Sequence, residues 1–143
     1  MEMDEIDARI LGVLQERGRI SFRDLGEVVR LSPTATADRV RRLERSGLIS
    51  GYRAVVDRKG LGFLLEAFVD VRLAPGADPD EAERVLRAVP EVIELHDMTG
   101  TFDYQARVIA RSPEDLHHLL NGLRRTISLA ETQTRLVLRD ISA

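Results

Sequence analysis

The sequence predicts an α+β chain in two parts: an N-terminal winged helix-turn-helix over residues 1–60 and a ferredoxin-like βαββαβ domain over residues 61–143. Three observations carry this. Two short amphipathic segments are joined by only Arg30 and Leu31, and the second starts at Ser32-Pro33 and is rich in arginine. Gly60-Leu61-Gly62 then forms a flexible boundary where the charge balance changes sign. Beyond it, apolar patterns of period 2 and period 3.6 alternate in the order strand, helix, strand, strand, helix, strand.

Asp4 is placed to cap a first helix, with Asp7 three residues on, and Ile6, Ile10, Val13 and Leu14 form its apolar stripe until Gly18 ends it. Ser21 starts a second helix with Asp24 at the third position and Leu25, Val28 and Val29 facing inward. Ser32-Pro33 starts the third. Serine is a good N-cap, and proline in the first turn gives up no needed hydrogen bond. Val40 and Leu43, with Thr36 or Ala37, are its expected core side, and Gly47 stops it. Leu48 to Asp57 reads as a β-ribbon turned near Ser50-Gly51, which would be the wing. Arg30 falls in the tight turn between the second and third helices; a positive φ there would strain it, although the side chain could also meet phosphate.

In the second part, Ala67, Val69, Val71 and Leu73 alternate with polar neighbours as a half-buried strand. Asp78-Pro79 caps a helix, with Glu81 able to complete a capping box, and Ala82, Val85, Leu86 and Val89 follow at helical spacing. Strands are expected near 91–99 and 103–110, joined around Gly100. Ser112-Pro113 caps a helix carrying Leu116, Leu119, Leu120, Leu123 and Ile127, and a last strand is expected near 131–141. This plan puts both helices on one face of an antiparallel sheet. The other face is polar but broken by Phe68 and Val137, a mixture that suggests packing against a second copy of the chain.

The formal charge of −3 hides an asymmetry, because residues 30–59 hold eight basic and three acidic side chains. A basic cluster inside an acidic chain marks a candidate phosphate-facing surface, the alternative being a solvated helix face. There is no cysteine, so disulfides and thiol chemistry are excluded. The acidic N-terminus and the lack of a membrane-length apolar run imply no membrane partner and a soluble, cytoplasmic chain. His117 and His118 point about 100° apart on a helix, and His96 lies alone on a strand, so no metal or cofactor is expected. A convergent His/Arg/acid constellation is also missing, which argues against an enzyme.

At the start of the third helix, free backbone N–H groups and a partial positive charge suit phosphate. Ser32, Thr34 and Thr36 are short hydroxyl side chains for close approach to duplex DNA, and Arg39 and Arg42 share a face from which they can hold phosphate or reach guanine. Either arginine could instead pair with Asp38, Glu44 or the first helix. Arg53 is a weaker phosphate candidate.

Several motifs occur together. They are Asp4-x-x-Asp7-x-x-Ile10-Leu11, Gly18-Arg19-Ile20-Ser21, the run from Leu31-Ser32-Pro33-Thr34 through Arg39-Val40-Arg41-Arg42-Leu43-Glu44 to Gly51-Tyr52, and Gly100-Thr101-Phe102-Asp103-Tyr104. In this the chain resembles the Lrp/AsnC family of bacterial and archaeal regulators, over essentially its whole length. The resemblance implies a RAM/AsnC-type second domain and a transcriptional regulator modulated by a small effector, usually an amino acid. It places that effector between subunits at Gly100, Thr101, Phe102, Asp103 and Tyr104, with Thr132 and Thr134 of the final strand supplying hydroxyls. A tight hairpin would use the same turn residues. The expected assembly is a homodimer on a pseudo-palindromic operator, with two recognition helices in successive major grooves, and by family resemblance a higher oligomer such as an octamer. A protein that only compacts chromosomes would instead bind all duplexes alike.

Overall fold

In the computed structural model, residues 2–142 are described. They form two compact units that part between Val56 and Asp57.

The first unit contains α1 (Glu5–Glu16), α2 (Phe22–Val29) and α3 (Pro33–Arg45). Local chemistry sets each start. Asp4 and Asp7 form a reciprocal capping box, the Asp7 N–H donating to Asp4 Oδ1 at 2.8 Å and the Asp4 N–H to Asp7 Oδ2 at 3.2 Å. Ser21 and Ser32 each cap through their hydroxyls, accepting from the N–H groups of Asp24 and Ala35. Ile10, Leu25, Val29, Val40 and Leu43 make the core. Val28, expected inside, is exposed; the side of α2 that packs carries Leu25, Gly26 and Val29 instead.

Arg30 ends α2 in the left-handed region, at φ 60° and ψ 47°. Its side chain is exposed. Arg30→Gly should therefore stabilise this unit by about 1 kcal/mol, the strain of a left-handed non-glycine residue. A rise in the urea midpoint with an unchanged slope would confirm it, and an unchanged midpoint would show that the turn carries no strain.

The expected wing does not form within one chain. Residues 51–57 make no regular secondary structure, and Tyr52, Val55 and Val56 are exposed. A tight hairpin at Ser50-Gly51 would need positive φ in the turn. The positive φ falls instead at Gly47, where α3 ends.

The second unit runs β1 (Leu65–Leu73), α4 (Pro79–Ala88), β2 (Val92–Asp97), β3 (Tyr104–Ala110), α5 (Pro113–Thr126) and β4 (Leu129–Leu136). The strands are antiparallel in the order β2-β3-β1-β4, the ferredoxin-like arrangement. Ala67, Val69, Val71, Ala106 and Val108 pack beneath Ala82, Leu86, Leu116 and Leu123. Asp78 caps α4 through the Asp80 N–H, and Glu81 lies 3.7 Å from Arg84 instead of closing a box. The last strand is shorter than expected and ends at Leu136, after which the Val137 N–H still donates to Glu66 O. The face away from the helices carries ion pairs between strands: Arg107 with Glu66 and Glu94, Arg135 with Asp70, and Arg72 with Glu131. Phe68 and Val137 sit half-buried among them. Among the described residues no helix is long and apolar enough to cross a membrane, and no group of three or more His, Asp or Glu side chains is placed to hold a metal ion.

Candidate functional site

The recognition helix divides its residues between two jobs. Thr36 is fully buried, and its hydroxyl donates to Ser32 O at 2.8 Å. It therefore cannot reach DNA as expected: the residue four positions after the cap points into the unit and its hydroxyl closes the first turn. Ser32 and Thr34 are exposed. Arg39 and Arg42 converge on the first helix. Arg39 Nη1 lies 2.6 Å from Asp4 Oδ2 and 3.0 Å from Asp7 Oδ1, while Arg42 Nη2 lies 2.9 Å from Asp7 Oδ2. Asp7 is wholly buried, and the two arginine side chains are 26% and 45% exposed. The alternative partner weighed in the sequence, the first helix, is thus the one observed.

The electrostatics follow the contacts. The Asp7 backbone N–H, and then the Arg39 guanidinium, hold the Asp4 carboxyl below its usual range. Asp4, and then Asp7, push the Arg39 guanidinium up. The exposed stripe of α3 is Thr34, Asp38, Arg41 and Arg45, the helical repeat opposite Val40 and Leu43. Arg41 rests 6.0 Å over the Phe22 ring and 3.7 Å from Asp38. Among the described residues, Arg45 has no carboxylate within ion-pair distance, and neither has Arg30 or Arg53. Arg41 and Arg45 fell within the basic cluster of the sequence without being singled out as contact candidates, although continuing the Thr34 spacing by turns of the helix places them on its exposed side.

In the second unit, Gly100 adopts φ 101°, a conformation that favours glycine. Asp103 ties the turn to β1: its N–H donates to Val71 O and its Oδ2 accepts from the Leu73 N–H, both at 2.8 Å. Thr101 and Phe102 line a cavity of about 340 Å³ with Asp70, Gln105, Gln133 and Arg135. Asp70 is its polar floor, accepting from Gln105 at 3.1 Å and Arg135 at 3.3 Å.

The other expected effector residues lie elsewhere. Tyr104 is only 4% exposed, and its hydroxyl donates to Glu83 on α4 at 3.2 Å. Burial first, and then Glu83, push its hydroxyl up to about 12. Thr132 and Thr134 stand opposite the core residues Val71 and Val69, so they share the helix-covered face, and Thr132 Oγ1 accepts from Arg124 on α5. Within one chain the sheet separates Tyr104, Thr132 and Thr134 from the cavity that Thr101 and Phe102 line. Strand alternation is the cause: Gln105 and Gln133, the neighbours of those residues, face the cavity.

Comparison with known proteins covers both units. Residues 3–44 match the AsnC-type helix-turn-helix domain, and residues 66–143 match the Lrp/AsnC ligand binding domain. The leucine-responsive regulatory protein of Escherichia coli is 38% identical over 144 residues, spanning 98% of this chain and 87% of the relative. HTH-type transcriptional regulator Rv2324 of Mycobacterium tuberculosis is 33% identical, spanning 97% of this chain and 94% of the relative. Among solved structures, the transcriptional regulator NMB0573 of Neisseria meningitidis, in complex with L-methionine, superposes with a TM-score of 0.94 at 29% identity, covering 99% of this chain and 94% of that one. The feast or famine regulatory protein Rv3291c of M. tuberculosis, also complexed with L-methionine, gives 0.90 at 30% identity, covering 99% and 96%. A helix-turn-helix with an exposed basic stripe, matched over residues 3–44, and a separate βαββαβ unit, matched over residues 66–143, make this chain a member of the Lrp/AsnC family of transcriptional regulators.

Proposed function

We propose that the chain reads a pseudo-palindromic operator through the exposed side of α3 and that an amino acid bound in the second unit adjusts its assembly on DNA. The observation that carries the DNA reading is the stripe of Thr34, Arg41 and Arg45, which continues from the exposed N-terminus at Ser32 and is not tied to α1. Ser32 and Thr34 approach phosphate or base edges, Arg41 and Arg45 reach into the groove, and the remaining N–H groups of Arg42 face phosphate. Arg39 acts through α1, holding the helix in place.

The test is genomic-fragment selection on the purified protein at near-physiological salt, followed by anisotropy titration of a selected fragment. Arg41→Ala with Arg45→Ala should weaken specific binding at least about 30-fold, since a bidentate base contact contributes about 1–3 kcal/mol. Operator binding at wild-type strength would mean that another face reads DNA. Uniform capture of all fragments, fading as salt rises, would favour the chromosome-organising role instead.

The effector reading rests on the cavity at the β2–β3 turn and on the methionine complexes of the neisserial and mycobacterial neighbours. Backbone N–H groups around Gly100 would receive the carboxylate, with the Thr101 hydroxyl and the Phe102 ring beside it. The charged outer face of the sheet, with Phe68 at its centre, would form the dimer, and dimers would assemble further in the cytoplasm where the DNA lies. An effector then shifts the assembly only by its differential affinity for the two states. Asp103→Ala should leave DNA binding in place and abolish the response to amino acids in the same anisotropy assay, because it frees the turn from Leu73. A variant that responds as the wild type does would move the pocket elsewhere.

A further inference from the structure

A second cavity lies on the other side of the sheet from the β2–β3 turn site. It measures about 610 Å³ and opens between α4 and α5 at the end of β3. Val85, Val89, Leu119 and Leu123 give it an apolar body. A volume of this size is in the range that takes small molecules. One cation lines it. Arg111 stacks 4.4 Å over the Phe63 ring, and its Nη1 donates to Leu61 O at 2.9 Å, so the guanidinium is held in place by an aromatic face and a backbone carbonyl.

That cation has no anion. Glu91 and Asp115 line the same cavity, yet among the described residues no carboxylate oxygen lies within ion-pair distance of Arg111. Arg107 and Arg135 pair across the outer face of the sheet, whereas Arg124, Arg125 and Arg139 have no ion pair either; among the described residues Arg111 is the exposed, unpaired arginine that lines the cavity. A second observation points the same way. Gly122 lines the cavity from the middle of α5, and a Cβ placed there would meet no atom within 4 Å. Glycine in a helix interior is destabilising relative to alanine. Neither tight packing nor backbone conformation calls for it here, and what its absent side chain leaves is open cavity.

We propose that this cavity is a second small-molecule site, contained within one protomer, for a small apolar carboxylic acid. The carboxylate pairs with Arg111 in the bidentate geometry that guanidinium favours. The hydrocarbon body lies among Val85, Val89, Leu119 and Leu123. The site is separate from the effector pocket at Thr101 and Phe102 and stands whether or not that pocket is occupied.

The probe is 3-phenylpropanoate, titrated into the full-length protein with methyl resonances of valine, leucine and isoleucine followed by NMR. Saturable shifts centred on Val85, Val89, Leu119 and Leu123 are the expected result. Arg111→Met should weaken the apparent Kd at least tenfold, and Gly122→Leu, which fills the space, should abolish the shifts while melting cooperatively. Phenylalanine in a parallel titration separates the sources of the acid: equal binding means the α-ammonium is not read, and tighter binding means Glu91 or Asp115 receives it. Shifts confined to residues near Thr101 and Phe102, or no saturable shift in the wild type, would overturn the proposal. So would unchanged affinity in Arg111→Met.

Discussion

Asp7→Ala is expected to destabilise the helix-turn-helix unit by about 2–3 kcal/mol, with a matching fall in the urea midpoint. The carboxylate is wholly buried and receives both Arg39 and Arg42 while closing the capping box with Asp4. Breaking a fully buried ion pair costs about 3–5 kcal/mol, because a charge is left without a partner. Here the two guanidinium groups keep part of their hydration, which reduces the penalty. The lost cap box adds about 1 kcal/mol back. Asp7→Asn keeps the shape of the cap and should lie between the two. Wild-type stability for Asp7→Ala would mean that the arginines are held to α1 by packing alone. The direction of the Asp4 shift adds a pH consequence: its carboxyl ionises below the usual 3.8, so its contribution is present above that value and is lost as pH falls through the lower, folded-state value.

Gly26→Ala should be of similar size, about 2–3 kcal/mol, and should also weaken operator binding. A Cβ on Gly26 would stand 2.6 Å from the Leu31 carbonyl oxygen and 3.0 Å from Thr36 Oγ1. Both obstacles are fixed. One is backbone in the turn between α2 and α3, and the other is a buried hydroxyl already bonded to Ser32. Relief requires the turn to open, moving the recognition helix against α2, and overpacking of this kind costs about 1–3 kcal/mol before any loss of pairing. Gly12→Ala is the control. It lies on α1 with nothing within 4 Å of its added Cβ, and should be neutral or stabilising by up to about 1 kcal/mol. If both alanine variants melt together with the wild type, close approach at Gly26 is not what sets the turn.

The helix starts were legible because they are local. Asp4, Ser21, Ser32, Asp78 and Ser112 each cap the helix they were expected to cap, through contacts no more than three residues away. The order of the strands was legible for the same kind of reason, since β-α-β-β-α-β with short connections leaves few ways to build one antiparallel sheet. Motif spacing identified the family, and a run of motifs in order needs no knowledge of where the side chains point.

Which way a side chain points was harder. Thr36, Tyr104, Thr132 and Thr134 all carry hydroxyls suited to a ligand, but tertiary packing places Thr36 and Tyr104 inside and the two β4 threonines on the helix-covered face. Composition cannot distinguish these from Thr34 or Thr101, because a single step along a helix or strand exchanges an inward position for an outward one. Arg39 and Arg42 illustrate the same limit. Their charge and spacing suit DNA, yet the partners that bind them, Asp4 and Asp7, lie more than thirty residues away in the chain. The sequence by itself determined the caps, the element order and the family, all of which depend on near neighbours. Only the tertiary structure decided which arginines clamp α1 and which face solvent, and which side of the sheet each candidate effector residue occupies. Those outcomes depend on which distant groups are brought within a few ångströms of one another.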